Sequence, residues 1–158
     1  MIIGFIGLRD MARAMIGWML HKEMVKPEEI IGSAKTRETR EKMAAEYGIV
    51  TMEKNADVAA QADMLVLAVK PQFFEEVIHE IKDATRPETL IISIAAGKSI
   101  QWIEDAFARP VKLVRCMPNT PALVGEGCTG VCANAKVSEE EKNSSIKLME
   151  SFGKASLV

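Results

Sequence analysis

The sequence has no long hydrophobic run, no strong charge of one sign and no basic leader. No apolar segment of the 158 residues approaches the roughly 18–20 residues that a membrane-spanning helix needs. The formal net charge is −2, so no basic field points to nucleic acid or to an anionic membrane. Arg9 and Asp10 interrupt the apolar segment that a signal peptide would have. We therefore expect a cytoplasmic protein with no nucleic-acid and no membrane partner.

Cysteine is also scarce and carries no metal-binding pattern. The three cysteines, Cys116, Cys128 and Cys132, are an odd number and form no paired CxxC motif. Such spacing is typical of reduced thiols in a cytoplasmic protein and not of a zinc site. The sequence therefore predicts no bound metal.

Apolar runs alternate with amphipathic segments along the whole chain. Short, continuously apolar runs such as 64–69 and 90–94 are typical of strands that are buried on both faces. Between these runs, apolar residues in 73–83 recur at helical spacing. Further strands are expected at 30–33 and 111–115, and a short helix at 55–61. Thr36 and Ser138 are expected helix caps, and Gly48 is expected to end the helix that Thr36 begins. This alternation predicts one doubly wound α/β domain over residues 1–158, with a mainly parallel, Rossmann-like sheet and helices on both faces.

A short turn at residues 7–10 joins the first apolar run to the first helical pattern. Asp10 precedes the pattern and is expected to be the N-cap. Such a turn aims free N–H groups and the positive end of a helix dipole at one point, which suits an anion. A dinucleotide-binding turn reads G-x-G-x-x-G, but only its first glycine, Gly7, is present here. Taken alone, this turn is equally typical of any α/β domain.

Ligands of a doubly wound sheet bind beyond the carboxyl ends of the strands, where the strand order reverses. Five segments follow predicted strands at that edge, and all are rich in small residues, proline or polar groups. Such segments allow a cofactor to approach the backbone closely. They are residues 7–11, 33–37, 68–72, 95–97 and 117–121.

The end of the second predicted strand discriminates between the two nicotinamide cofactors. An NAD site usually has an acidic residue there, about 20 residues after the glycine turn, which bonds the ribose 2′-hydroxyl. This sequence has Ser33, followed by the cations Lys35 and Arg37. A hydroxyl and two cations suit a 2′-phosphate, so we expect NADP (NADPH) in preference to NAD if a dinucleotide binds. The alternative is that both cations are simply solvated residues at a helix start.

Residues 115–130, RCMPNTPALVGEGCTG, carry the most informative motif. Other motifs precede it in a fixed order: GFIG at 4–7, Asn55 before a short helix, AVKPQ at 68–72 and SIAAG at 93–97. This ordered set covers the whole chain and closely resembles the pyrroline-5-carboxylate reductase family. The resemblance implies an oxidoreductase of proline biosynthesis. Such an enzyme transfers hydride from NADPH or NADH to the C=N bond of a cyclic imino acid, 1-pyrroline-5-carboxylate, to give L-proline.

The resemblance distributes the candidate site residues over these segments. The pyrophosphate turn comprises Ile6, Gly7, Leu8, Arg9, Asp10 and Met11. The adenosine ribose or its phosphate is assigned to Ser33 and Asn55, beside the cations Lys35 and Arg37. The nicotinamide half is assigned to Ala68, Val69, Lys70, Pro71, Ala95, Ala96 and Gly97, and the substrate side to Met117, Pro118 and Asn119. No catalytic residue is assigned, because hydride transfer is the chemistry of the cofactor.

The chain is shorter than the family pattern. In the family, a helical domain follows the Rossmann domain, forms the dimer and completes the substrate pocket, and this sequence ends where that domain would begin. We therefore expect little reductase activity from the 158 residues alone. The family forms homo-oligomers, but the oligomeric state of this chain stays open.

The glycine turn also departs from the family pattern. Arg9 stands where the second glycine belongs, and Asp10 stands where the family usually has an amide. That glycine lets the backbone approach the pyrophosphate without an intervening Cβ. We expect a cofactor affinity weakened by about 1–3 kcal/mol, or ~5- to 150-fold.

Two other functions fit the sequence. One is another imine or β-hydroxyacid reductase that shares the amino-terminal domain. The other is a non-catalytic or regulatory Rossmann module, which the altered turn and the short chain both favour. Measuring which substrate drives cofactor oxidation separates the first from a pyrroline-5-carboxylate reductase.

Overall fold

The computed structural model describes residues 1–94, 97–118, 129–149 and 155–157. The strands are β1 Ile3–Ile6, β2 Ile30–Ser33, β3 Val50–Met52, β4 Met64–Leu67, β5 Leu90–Ser93, β6 Lys112–Pro118, β7 Thr129–Ala133 and β8 Ala155–Leu157. The α-helices are α1 Asp10–His21, α2 Arg37–Tyr47, α3 Asn55–Gln61, α4 Phe74–Ile81, α5 Ile100–Phe107 and α6 Glu139–Met149. Short 3₁₀ turns, Pro27–Glu29 and Pro71–Phe73, precede β2 and α4.

The strands form one sheet in the order β3-β2-β1-β4-β5-β6-β7-β8. Every neighbouring pair is parallel except β6 and β7, which are antiparallel. The first six strands have the order of a Rossmann fold, in which the strand order reverses between β1 and β4. Ile6 lies beside both Ser33 and Leu67, so the carboxyl ends of β1, β2 and β4 are level. The predicted doubly wound, mainly parallel sheet is confirmed.

Alternate strand residues contribute to two cores on opposite faces of the sheet. On one face, residues such as Phe5 and Val66 pack with side chains of α1, α2 and α6. On the other face, residues such as Ile6 and Leu65 pack with α3, α4 and α5. Helices therefore cover both faces, which explains why the central strands are continuously apolar.

The helix ends follow their sequence signals with one correction. The Thr36 hydroxyl accepts the Thr39 N–H at 3.4 Å, and Gly48, with φ +74°, ends α2 as expected. The prediction that Asp10 caps α1 is wrong, because Asp10 is the first helical residue. Arg9 occupies the cap position with an extended backbone, φ −94° and ψ −161°, and its carbonyl accepts the Arg13 N–H at 2.8 Å.

Strand β6 runs further than expected. The pattern predicted a strand over 111–115 and a turn from 117, whereas Met117 and Pro118 are both in β6. They pair with Gly130 and Thr129 of the antiparallel strand β7. Pro118 is the last residue of β6, so its missing N–H can remove only the final hydrogen bond of the ladder. Pairing with a distant strand therefore extended a segment whose local composition is typical of a turn.

Within the described ranges, no helix is long and apolar enough to cross a membrane.

Candidate functional site

The turn after β1 lies against the end of β4. Gly7 has φ +95°, and its N–H donates to the Ser33 carbonyl at 3.1 Å. A Cβ on Gly7 would lie 3.0 Å from Val69 Cγ1 and 3.1 Å from the Ala68 carbonyl oxygen. Both the backbone angle and the close approach require glycine. This contact brings the start of α1 to the place where the strand order reverses.

The buried side chain of Leu8 fixes the turn after β1 against the core. Its side chain is 2% exposed and packs in the core on the α1 face. A Cβ on Gly32 of β2 would overlap the Leu8 side chain, so Gly32 makes room for it. Gly32 was not among the predicted site residues, although a glycine inside an apolar strand is a known sign of close approach.

The first turn of α1 presents its backbone at the same edge. Arg9 is exposed, and its side chain makes no capping hydrogen bond to the helix. The first N–H groups of a helix have no partner within it and favour an anion. A guanidinium therefore stands beside the N-terminus of α1 at the position where a dinucleotide-binding turn has glycine.

Ser33 and Asn55, which were predicted to share a subsite, are in direct contact. The Ser33 hydroxyl donates to Asn55 Oδ1 at 2.6 Å, across 22 positions of the chain. Ser33 is fully buried, whereas Asn55 is half-buried and is the first residue of α3. Ser33 therefore holds the Asn55 amide in place, and Asn55 is the member of the pair that reaches the surface.

The loop after β2 is held by a residue that was not predicted. Arg40 of α2 donates from Nη1 to the carbonyls of Ala34, at 2.7 Å, and Lys35, at 3.1 Å. The predicted site residues lie in the loop itself, and Arg40 lies one helical turn beyond it. Its hydrogen bonds fix the backbone that carries Lys35.

Each predicted phosphate-binding cation has a carboxylate partner. Lys35 Nζ lies 4.0 Å from Glu76 Oε1, and Arg37 Nε lies 2.7 Å from Glu41 Oε1. The side chains of Lys35 and Arg37 are 78% and 83% exposed, so these ion pairs contribute little stability. A phosphate could therefore compete for either cation. Arg37 is already held in a short contact along its own helix, which leaves Lys35 as the more available of the two.

The loop after β4 combines backbone contacts with exposed side chains. The Ala68 N–H donates to the Ile6 carbonyl at 2.9 Å, which continues the pairing of β1 and β4. Val69 and Pro71 are half-buried, whereas Lys70 is exposed. The loop thus follows the end of β1 closely before it turns into α4.

Fewer of the predicted nicotinamide-side residues can be placed. Gly97 has φ +81° and is exposed, with no atom within 4 Å of a Cβ built on it. Ala95, Ala96 and Asn119 lie outside the described residues. The backbones of Met117 and Pro118 end β6 at the same edge of the sheet.

The chemistry available from side chains at this edge is limited. Burial raises the pKa of the Cys116 thiol, next to Met117, to about 12, so this thiol stays neutral near pH 7. No group of three or more His, Cys, Asp or Glu side chains in the described part of the chain could hold a metal ion. The features at this edge suit an anionic ligand. They are the glycine turn at Gly7 that lies against Ala68 (the Gly7 cradle), the N-terminus of α1, the Asn55 amide held by Ser33, and the exposed cations Lys35 and Arg37.

A doubly wound sheet with such a cradle where the strand order reverses defines a Rossmann-type domain with a nucleotide-binding edge. The family described as NADP oxidoreductase, coenzyme F420-dependent, matches residues 2–97, more than half of the chain. The chain therefore belongs to that family of oxidoreductases.

Individual relatives confirm the predicted resemblance to pyrroline-5-carboxylate reductases. The chain is 41% identical over 151 residues to the pyrroline-5-carboxylate reductase of Pseudomonas aeruginosa, covering 96% of this chain and 55% of the relative. It superposes on a pyrroline-5-carboxylate reductase from Coxiella burnetii with a TM-score of 0.94 and 32% identity, covering 99% of this chain and 58% of that one.

A second solved structure holds a cofactor. The pyrroline carboxylate reductase of Plasmodium falciparum with NADP bound has a TM-score of 0.88 and 29% identity to the chain. The similarity covers 99% of this chain and 57% of the Plasmodium protein. The chain thus spans somewhat more than half the length of the proteins it matches.

Proposed function

We propose that residues 1–158 form a single domain that binds NADP(H) and serves as the cofactor-binding part of a pyrroline-5-carboxylate reductase. The reaction is hydride transfer to the C=N bond of 1-pyrroline-5-carboxylate, which gives L-proline. The Gly7 cradle carries this proposal, since it places the start of α1 against Ala68 where the strand order reverses. The similarity to pyrroline-5-carboxylate reductases over 96% of the chain supports the choice of substrate.

The residues present fit a dinucleotide along this edge. A Cβ on Gly7 would meet Val69 and the Ala68 carbonyl, so glycine at this position allows the tight turn that aims the start of α1 at a pyrophosphate. The turn 6–11 would hold the pyrophosphate through N–H groups and the dipole of α1. Asn55, oriented by Ser33, would bond the adenosine ribose.

The nicotinamide half would be lined by residues 68–71 and 95–97, with Met117, Pro118 and Asn119 towards the substrate. When bound, the dinucleotide supplies the hydride, and the protein has to bind, orient and exclude water. Half-buried Val69 and Pro71 are suited to excluding water from this end.

We propose that NADPH is preferred to NADH. Ser33 ends β2 in place of the carboxylate that would bond a 2′-hydroxyl and repel a 2′-phosphate. Lys35 is exposed beside it, with only a 4.0 Å pair to Glu76. A Lys35→Gln variant should bind NADPH about tenfold more weakly, a loss of ~1.4 kcal/mol, and NADH unchanged. Equal losses for both cofactors would contradict the preference.

We also propose a cytoplasmic location and a homo-oligomer for the protein that contains this domain. The free thiols of Cys116 and Cys132 support a reducing compartment. Cell fractionation and size-exclusion chromatography test the two statements separately.

A chimera tests the proposed reaction. The matched part of the Pseudomonas aeruginosa relative is replaced by this chain, and NADPH oxidation is followed with 1-pyrroline-5-carboxylate, with other cyclic imines and with β-hydroxyacid substrates. We expect oxidation with 1-pyrroline-5-carboxylate by the chimera and little turnover by the 158 residues alone. A chimera that binds NADPH but prefers another substrate would favour a different reductase. A folded chimera that binds no dinucleotide would favour a non-catalytic module.

A further inference from the structure

Phe73 is a large aromatic side chain that remains 44% exposed at the ligand-binding edge. It ends the 3₁₀ turn between β4 and α4, and its neighbour Phe74 is fully buried in the core. The other exposed large hydrophobic residues in the described part of the chain are Met1, at the terminus, and Val50, at the start of the edge strand β3. Phe73 is therefore the one among these three that lies beyond the carboxyl end of a central strand.

Lys35 reaches Phe73 from the other side of β1. The Lys35 Nζ lies 5.8 Å from the centroid of the Phe73 ring. Lys35 follows β2 and Phe73 follows β4, and β1 lies between these two strands in the sheet. The two loops therefore meet across the carboxyl end of β1, beside the turn that begins at Gly7.

This position is next to the adenosine end of the proposed cofactor. The residue that reads the adenosine ribose in a Rossmann fold ends the second strand, and that residue is Ser33 here. The adenine base then needs a flat, apolar surface nearby. An exposed phenylalanine ring is such a surface. The Lys35 ammonium lies over this ring, 5.8 Å from its centroid, in an exposed cation–π contact worth only about 0.5–1 kcal/mol, so an adenine base could displace it.

We infer that Phe73 is the stacking platform for the adenine base of the dinucleotide, with Lys35 at its rim beside the ribose phosphate. This inference rests on the proposed function and adds to it a residue that fixes the base. Stacking on an aromatic ring is independent of the 2′-phosphate. Phe73 should therefore contribute equally to binding of NADPH and NADH, whereas Lys35 should distinguish them.

Fragment binding by Phe73→Ala tests the inference. Dissociation constants are measured by calorimetry for NADPH, AMP, adenosine 2′,5′-bisphosphate and reduced nicotinamide mononucleotide. We expect the variant to bind the three adenine-containing ligands about tenfold more weakly, as loss of a stacked ring predicts, and the mononucleotide unchanged. Phe73→Tyr keeps the ring and should restore wild-type affinity. Val50→Ala removes a similarly exposed apolar side chain at the amino end of β3 and should change none of the constants.

The outcomes separate the two proposals. If the wild type binds adenosine 2′,5′-bisphosphate and Phe73→Ala binds it equally well, the inference is overturned and the proposed function stands. An equal loss for the nicotinamide mononucleotide would also overturn it, since the effect would then be general. If the wild type binds none of the ligands, the proposed function fails and the inference fails with it.

Discussion

The two edges of the sheet differ in what their contacts leave available to a ligand. At the amino edge, side chains bond to the backbone of neighbouring segments: the Asp63 carboxylate accepts the Ile2 N–H at 2.8 Å, and Arg86 donates to the Ala62 carbonyl at 2.7 Å. Thr89 donates to the same carbonyl at 3.1 Å. At the carboxyl edge the Gly7 N–H donates to the Ser33 carbonyl at 3.1 Å, while Asn55 and the cations Lys35 and Arg37 keep exposed or half-buried side chains there.

The contacts at the amino edge therefore contribute mainly to stability, and the carboxyl edge keeps groups available for binding. A charged group that bonds to its own backbone stabilises the fold and has little capacity left for a ligand. A backbone that approaches closely, with exposed cations in weak ion pairs, leaves N–H groups and charges available. Substitutions at the amino edge should therefore lower the free energy of unfolding, and substitutions at the carboxyl edge should lower cofactor affinity.

Gly7→Ala should have the largest effect. The new Cβ would meet the Ala68 carbonyl at 3.1 Å and Val69 Cγ1 at 3.0 Å, on a residue with φ +95°. We expect NADPH affinity to fall by about 100-fold or more, a loss of ~2.7 kcal/mol, because the turn must move. Gly48→Ala is the matched control, with a similar φ of +74° and only an ordinary 3.5 Å contact to Pro27. It should cost about 1 kcal/mol of stability and leave binding unchanged. Equal NADPH affinities of the two variants would contradict the requirement for glycine at position 7.

Arg9→Gly combined with Asp10→Asn should strengthen cofactor binding at the carboxyl edge. Removing the Cβ at position 9 and the acidic residue beside it should strengthen NADPH binding by about 5- to 150-fold, or ~1–3 kcal/mol. The two substitutions leave the net charge unchanged, and Arg13→Gln, which removes an exposed guanidinium one turn along the same helix, shows what the loss of one positive charge elsewhere on α1 does. Calorimetric titration of the three proteins measures the effect. Unchanged affinity in the double variant would show that Arg9 is compatible with the cofactor.

Arg86→Gln should lower stability at the amino edge without changing cofactor binding at the carboxyl edge. It removes the bond to the Ala62 carbonyl and the 3.1 Å contact with Asp63 Oδ1. We expect the free energy of unfolding to fall by about 1–2 kcal/mol in urea titrations, with NADPH affinity unchanged. Arg37→Gln breaks an ion pair whose arginine is 83% exposed and should cost less than about 0.5 kcal/mol. A change in affinity in Arg86→Gln would contradict the separation of the edges.

Asp63→Asn should have a smaller effect than Arg86→Gln, and one that depends on pH. The Ile2 N–H, and secondarily Arg86, hold the pKa of this carboxyl below its usual range. A depressed pKa means that the stabilisation is complete above the unfolded-state value, about 3.9, and is lost as pH falls through the folded-state value. Because the side chain is 44% exposed, we expect a loss below about 1 kcal/mol at neutral pH. The difference from wild type should disappear in strong acid; a constant difference would contradict this origin.

Local pattern was sufficient for most of the fold. The bounds of β2, 30–33, and of α3, 55–61, agree with the apolar runs and helical spacing that predicted them. Hydrogen-bonded caps at Thr36 and Ser138 were also predictable, because a cap depends on residues three positions apart. The antiparallel pairing of β6 with β7 was not predictable from local pattern, because the partner strand that extends β6 to Pro118 is distant in sequence.

Site residues were predictable where the end of a single strand determines them. Contacts between two segments that are distant in sequence were not predictable. Ser33 and Asn55 were assigned to one subsite, but the 2.6 Å bond between them appears only in the folded chain. Gly32 inside an apolar strand indicates a close approach, but the sequence does not show that Leu8 is the side chain that approaches, and Arg40 resembles any helix-surface arginine. The contact of Lys35 with Phe73 likewise depends on the order of β2, β1 and β4.

Titration of NADPH into the wild-type chain and its Gly7→Ala variant tests the central claim, that the carboxyl edge is a dinucleotide site. The account predicts saturable binding with one site per chain in the wild type and loss of that binding in Gly7→Ala. The Arg86→Gln variant should bind as the wild type does. Absence of saturable binding in the wild type, or undiminished binding in Gly7→Ala, would contradict the claim.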